Sequence, residues 1–272
     1  MESYTDFAQV YDEFMDATPY EAWCERIIRI IDTYGISVPS AEASSIEEDA
    51  LASERNLVLD LGCGTGTLTE LMADAGYDMM GIDMSYDMLQ TAMEKREESG
   101  HDIMYLCQDM RELELYCTVG TVICVCDCIN YVLKESEVIE TFRRVNNYLF
   151  PKGLFIFDFN TEYKYAQVIG DTTIAENRED CSFIWENFYD EKTHINEYDV
   201  TVFVREDEEE DLFYRFQETH FQRGYTFEQM RRFVEEAGLE FVTAIDADTD
   251  EEVTEETERV LMVCREKGKN NE

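Results

Sequence analysis

Leu57-Val58-Leu59-Asp60-Leu61-Gly62-Cys63-Gly64-Thr65-Gly66-Thr67-Leu68-Thr69 decides the reading of this chain. Val58, Leu59 and Leu61 spell a short buried strand, three glycines follow at alternate positions, and Thr67 to Ala75 reads as a helix. Strand, glycine turn and helix in that order form the first half of a nucleotide-binding βαβ unit. Lacking Cβ atoms, the glycines let the backbone approach a ligand closely and take up φ angles that other residues resist.

The order here is G-x-G-x-G, with Thr67 where the last glycine of a dinucleotide fingerprint would stand. That fingerprint, G-x-G-x-x-G, seats a pyrophosphate on a helix N-terminus. Asp60 lies two residues before the first glycine. A carboxylate there repels a pyrophosphate and suits an ammonium or a sulfonium. S-adenosylmethionine (SAM) carries both groups, so the acid argues for SAM over NAD.

Asp60-Leu61-Gly62-Cys63-Gly64-Thr65-Gly66 resembles the first motif of class I SAM-dependent methyltransferases. Further matches follow in order: Ile82-Asp83-Met84-Ser85 at the end of a second strand, Gln108-Asp109-Met110 after a third, and Cys126-Asp127-Cys128 after a fourth. The resemblance implies an α/β fold: a Rossmann-like doubly wound sheet, mostly parallel with an antiparallel last strand. It also implies SAM as cofactor and S-adenosylhomocysteine as product. The turn residues Asp60, Gly62, Cys63, Gly64 and Gly66 would hold the methionine end. Asp83, roughly 20 residues beyond the glycines, would accept from the ribose hydroxyls. Met84 would pack on the adenine, Asp109 would accept from its amino group, and Gln108 and Met110 would lie beside the ring. Asp127, Cys128, Asn130 and Tyr131 are candidates for the pocket around the transferable methyl group.

Composition narrows the partners. The 272 residues carry 62 acidic against 22 basic side chains, a formal charge of −40. Nucleic-acid binding relies on Lys and Arg displacing counterions, so no nucleic-acid partner is expected. No apolar run reaches membrane-spanning length, and Met1-Glu2-Ser3-Tyr4-Thr5-Asp6 does not read as a signal peptide. Nine cysteines without a secretory signal fit reduced thiols in a cytoplasmic protein. Cys124, Cys126 and Cys128 alternate, which on a strand places them on one face; without paired C-x2-C spacing they read as small apolar side chains, and no metal is expected. The acidic start of an EF-hand at Asp246–Asp250 fails at Glu251 and Thr257.

Around the core, residues 1–34 read as a helical cap with one helix over Tyr4–Asp16 and a second opened by Pro19. By the resemblance Tyr11, and with it Tyr20 and Trp23, would face the methionine end of SAM; ordinary helix packing is the alternative. Residues 35–56 read as a flexible connection with a helical turn near Ile46–Leu51. Residues 57–165 and 226–267 form the expected SAM-binding core, with Pro151-Lys152-Gly153 turning into the fifth strand. Residues 166–225 change character. Ser182–Tyr189, Glu197–Arg205 and Leu212–Phe221 read as three strands of an inserted antiparallel β lid, with the acidic run Glu206–Asp211 at a hairpin tip. At the end of the lid, His220 could take a proton from a nucleophile and Arg223 could orient a carboxylate; a structural Arg-Tyr clamp is the competing reading.

The expected function is transfer of a methyl group from SAM to a nitrogen or oxygen nucleophile of a small molecule. The alternatives are a non-catalytic SAM-binding regulator and a nicotinamide-dependent oxidoreductase.

Overall fold

The computed structural model describes residues 8–43, 51–207 and 212–269. Helices α1 (Ala8–Phe14), α2 (Tyr20–Tyr34), α3 (Ser40–Ala43) and α4 (Ala52–Asn56) precede strand β1 (Leu57–Leu61). The alternating part follows: α5 (Thr67–Asp74), β2 (Asp78–Asp83), α6 (Tyr86–Ser99), β3 (Met104–Cys107), β4 (Val119–Cys124), α7 (Glu135–Tyr148) and β5 (Leu149–Asn160). Next come β6 (Thr173–Asn177), β7 (Cys181–Asp190), β8 (Ile195–Asp207) and β9 (Leu212–Arg223). The chain ends with α8 (Phe227–Glu236), β10 (Leu239–Asp246) and β11 (Arg259–Glu266).

Seven strands form one sheet in the order β3-β2-β1-β4-β5-β11-β10. Strands β1 to β5 pair in parallel, while β11 runs antiparallel to both of its neighbours. β1 and β4 are buried along almost their whole length, as near-continuous apolar runs require when helices cover both faces of a parallel sheet. On one face, Phe142 and Val145 of α7 and Phe233 of α8 pack on Phe155, Phe157 and Val122; on the other, Ile27 and Ile31 of α2 and Met72 of α5 pack on Val58 and Ile156. The strand order reverses between β1 and β4, the switch point at which such sheets open a crevice.

Local chemistry sets the helix ends. Ser85 accepts the Met88 amide to start α6. Thr226 and Gln229 form a capping box at α8, and Gly238 follows that helix at φ 83°.

β6 to β9 form a separate four-stranded antiparallel sheet. The sequence reading found three of these strands and missed β6, whose Thr-Ile-Ala-Glu-Asn is mostly exposed and shows no apolar alternation. Val200, Val202 and Phe216 pack with Val10, and Phe14 of α1 joins them, so α1 lies against this sheet. The same helix grips the core: Asp12 accepts from Thr65 Oγ1 at 2.7 Å and pairs with Lys95 Nζ at 2.6 Å.

Three local expectations change. β4 stops at Cys124, and Cys126 and Asp127 take left-handed φ values of 64° and 50°, so the three alternating thiols do not share a strand face. β5 begins at Leu149 and passes through Pro151-Lys152-Gly153 with a break in register opposite Gly120. The 35–56 segment is pinned where described. Ser37 is buried, donating to Arg55 O and meeting Thr121, and a Cβ on Gly120 would collide with Arg55 O. The turn expected near Ile46 and the tip of the acidic run lie outside the described residues.

Phe157 stacks on Phe155 at 4.6 Å and meets Phe142 at 4.9 Å. Phe157→Ala should therefore cost about 3–5 kcal/mol of stability, read by urea unfolding.

Candidate cofactor cleft and acceptor wall

The glycine turn leaves β1 at the switch point. Gly64 has φ 54°, and a Cβ built on it would meet no atom within 4 Å, so its backbone faces open space. Gly66 differs: a Cβ there would strike the Tyr105 hydroxyl at 2.6 Å and Ala92 at 2.9 Å. Its smallness serves the packing of α5 on β3 and α6.

One cleft, holding about 1030 Å3 of free space open to solvent, lies over this turn. Tyr11, Asp60, Gly62, Cys63, Gly64, Asp83, Met84, Gln108, Met110 and Tyr131 all line it, together with Tyr20, Cys126 and Cys128. Residues from four strand ends and from α1 and α2 thus converge on one space.

The other nominated residues stand elsewhere. Gly66 packs beneath the turn. Asp109 is outside the lining, its carboxylate held by Arg111, which lowers its pKa. Asp127 is outside too; it accepts from Gln222 Nε2, and burial raises its pKa. His220 is 2% exposed and lies behind Tyr131. Arg223 donates to Leu133 O at 3.0 Å and Glu135 at 2.9 Å, and stacks over Tyr225, a contact set that has the shape of a clamp. Trp23 lies under the Arg259 guanidinium, 4.4 Å from its ring centre, beside Tyr20.

Asp60 is the electrostatic centre of the cleft. It is 2% exposed and accepts from Thr69 Oγ1 at 2.6 Å. Among the described residues no Lys or Arg pairs with it. Burial pushes its carboxyl from the ordinary 3.8 up to about 7, aided by nearby Asp83. Asp83 accepts from the amides of Gly64 and Ser85 at 2.9 and 2.8 Å, and burial raises it as well. A buried carboxylate whose side-chain partner among the described residues is a neutral hydroxyl, beside open backbone, fits a ligand that brings positive charge. SAM brings two such groups.

Asp158, near the end of β5, braces the wall of the cleft. Its oxygens take the amides of Cys126 and Asp127, at 3.2 and 2.8 Å, and Arg259 pairs with it. Two consecutive left-handed residues need such a convergent acceptor, but an isolated Asp at a strand end gives no sign of it.

The family profile described as "Methyltransferase domain" matches residues 58–153. The chain is 34% identical over 262 residues to "Putative methyltransferase YqeM" of Bacillus subtilis (strain 168), covering 95% of each chain. The chain belongs to the class I SAM-dependent methyltransferases. A SAM-dependent methyltransferase from Clostridium acetobutylicum ATCC 824 superposes with a TM-score of 0.80 at 27% identity, over 98% of this chain and all of that one. The sugar N-methyltransferase KedS8 from Streptoalloteichus sp. shares the fold, with a TM-score of 0.69 at 16% identity over 93% and 92% of the two chains. SAM is accordingly the cofactor of this methyltransferase, and the nicotinamide alternative falls.

Because folded Asp60 holds its proton more tightly than the unfolded chain does, its contribution to stability is full below pH 3.8 and is lost as pH rises through about 7. Asp60→Asn should therefore make the cofactor-free protein more stable than the parent above pH 7, by on the order of a few kcal/mol, with the gain vanishing in acid. Urea unfolding across that range reads the difference.

Proposed function

We propose that this methyltransferase acts on a nitrogen or oxygen nucleophile of a small molecule. The observation that carries the reading is the position of the second sheet. Tyr131, at the cleft wall, meets Tyr198 of β8 at 2.5 Å and His220 of β9 at 3.4 Å, and Gln222 of β9 reaches Asp127. An acceptor entering beside Tyr131 has to fit beneath this lid, which favours a small molecule over a protein or nucleic-acid chain. The charge of −40 adds repulsion against phosphate backbones.

When bound, SAM supplies a methyl group already activated on a sulfonium. The residues hold and align. In this reading Asp60 neutralises the positive charge of the methionine end, and the open Gly64 backbone lets it approach. Asp83, fixed by two amides, accepts from the ribose hydroxyls. Met84, Gln108 and Met110 surround the adenine. Tyr11 and Tyr20 close the methionine end from α1 and α2. Asp109, tied to Arg111, serves through the turn it caps. Holding the nucleophile in line can supply on the order of 7–11 kcal/mol of the barrier.

The two acids of the cleft tilt the choice of acceptor toward amines. KedS8, a sugar N-methyltransferase by name, has an acceptor of that kind, though its likeness extends to the fold alone.

The test is release of S-adenosylhomocysteine with a panel of amines, alcohols, phenols and carboxylic acids, with SAM binding followed by calorimetry. Turnover is expected with an N–H or O–H acceptor. SAM binding without turnover on any of them would favour the regulatory reading.

A further inference from the structure

Helix α1 is seven residues long, too short to hold its shape without tertiary partners. Its side chains reach two different bodies. Val10 and Phe14, one turn apart, point into the second sheet: Val10 is buried with Val200, Val202 and Phe216, and the Phe14 ring meets Phe183 edge-on at 4.9 Å. Just past the helix, the Asp16 carboxylate accepts from both terminal nitrogens of Arg178, each at 3.0 Å, on the residue that follows β6. Tyr11 and Asp12 lie between these anchors and face the core. Tyr11 lines the cofactor cleft. Asp12 accepts from Thr65 Oγ1 at 2.7 Å and pairs with Lys95 Nζ at 2.6 Å, and Lys95 also donates to Thr67 Oγ1 at 2.7 Å.

The partners of Asp12 are parts of the cofactor site. Thr65 lies in the glycine turn, Thr67 is the first residue of α5, and both line the cleft. The carboxylate that seats α1 is therefore bonded to the same turn on which the cofactor lies. Lys95, on α6, ties Asp12 and Thr67 together through a charge-assisted contact, the stronger and more directional kind. A ligand that fixes the turn favours the arrangement in which Asp12 is seated. A seated Asp12 in turn keeps Tyr11 at the cleft and Val10 and Phe14 in the second sheet. Such linkage is reciprocal: whatever firms the sheet firms the cover over the cofactor.

We infer that Asp12 is a positioning residue that seats α1 over the cofactor and, through that helix, couples the filling of the cleft to the firmness of the second sheet. Asp12 acts through Thr65, Thr67 and Tyr11. Because the sheet stands over the acceptor side, the acceptor binds more tightly once SAM is in place, and SAM leaves more slowly while the acceptor is held. The consequence for the acceptor rests on the reading of that sheet as a lid; the coupling itself rests on the contacts of α1.

Hydrogen exchange of the full chain with and without saturating SAM reads the coupling. SAM is expected to slow exchange in α1 and, past it, in residues 181–185 of β7 and 200–204 of β8, which do not line the cleft. Asp12→Ala should weaken SAM binding roughly tenfold by calorimetry and confine the slowing to the cleft, with Asp12→Glu recovering part of both. Lys95→Met, which leaves the bond to Thr65, should fall between parent and Asp12→Ala. Urea unfolding of the cofactor-free variants should change little, because a partly exposed ion pair adds little to global stability. With the best acceptor of the panel, Asp12→Ala should raise KM for SAM and for the acceptor together. A parent sheet whose exchange ignores SAM overturns the coupling, and so does Asp12→Ala with the parent's SAM affinity; neither result touches turnover on the panel. An inert panel with the expected exchange pattern supports the coupling and removes only the acceptor reading.

Discussion

A carboxylate is buried at the carboxyl end of β1, and the rest of the site is arranged about it. Asp60 cannot move to water because Leu59 and Leu61 are locked between β2 and β4. Its only described side-chain partner is the Thr69 hydroxyl on α5. Desolvation raises its pKa to about 7, which leaves the group only partly ionised near neutral pH, and a cationic ligand would favour its charged form. The turn that follows keeps the backbone low enough at Gly64 for that ligand to come near. Ligand choice in this fold thus follows from the desolvation of one acid together with the shape of one turn.

The opposite wall is built on a second constraint, the two consecutive left-handed residues after β4. Asp158 of β5 holds their amides, Arg259 of β11 holds Asp158, and Trp23 of α2 covers Arg259. Elements far apart in the chain therefore fix the place of Cys126 and, through the next turn, of Tyr131. The second sheet joins this wall through the Arg223 clamp to Leu133 and Glu135 and through Tyr225, which donates to Val132 O. Helix α1 ties that sheet back to the glycine turn through Asp12. Cofactor side and acceptor side are mechanically continuous.

The parts of this design that repeat locally were legible in the sequence. Buried parallel strands write themselves as apolar runs, and a turn with close backbone approach demands glycine, so β1, β2, β4 and their order of motifs could be read. Polar partners drawn from distant segments could not. Asp127 meets Gln222, Asp158 meets Arg259 and Arg223 meets Leu133, each about a third of the chain away. Spacing holds no trace of such pairs. β6 lacked an apolar face to betray it, and the Cys124–Cys128 alternation implied a strand that the left-handed turn ends early. Asp109 had the right place in the motif series, but Arg111, two residues on, takes its carboxylate.

The most direct measurement is calorimetry of SAM binding at about pH 6 in buffers of different ionisation enthalpy, on the parent and on Asp60→Asn. If Asp60 meets the cationic end of SAM, the parent releases a proton as the ligand binds, and Asp60→Asn binds more weakly with that release abolished. Equal affinity in the two proteins, with no proton released by the parent, would contradict the account.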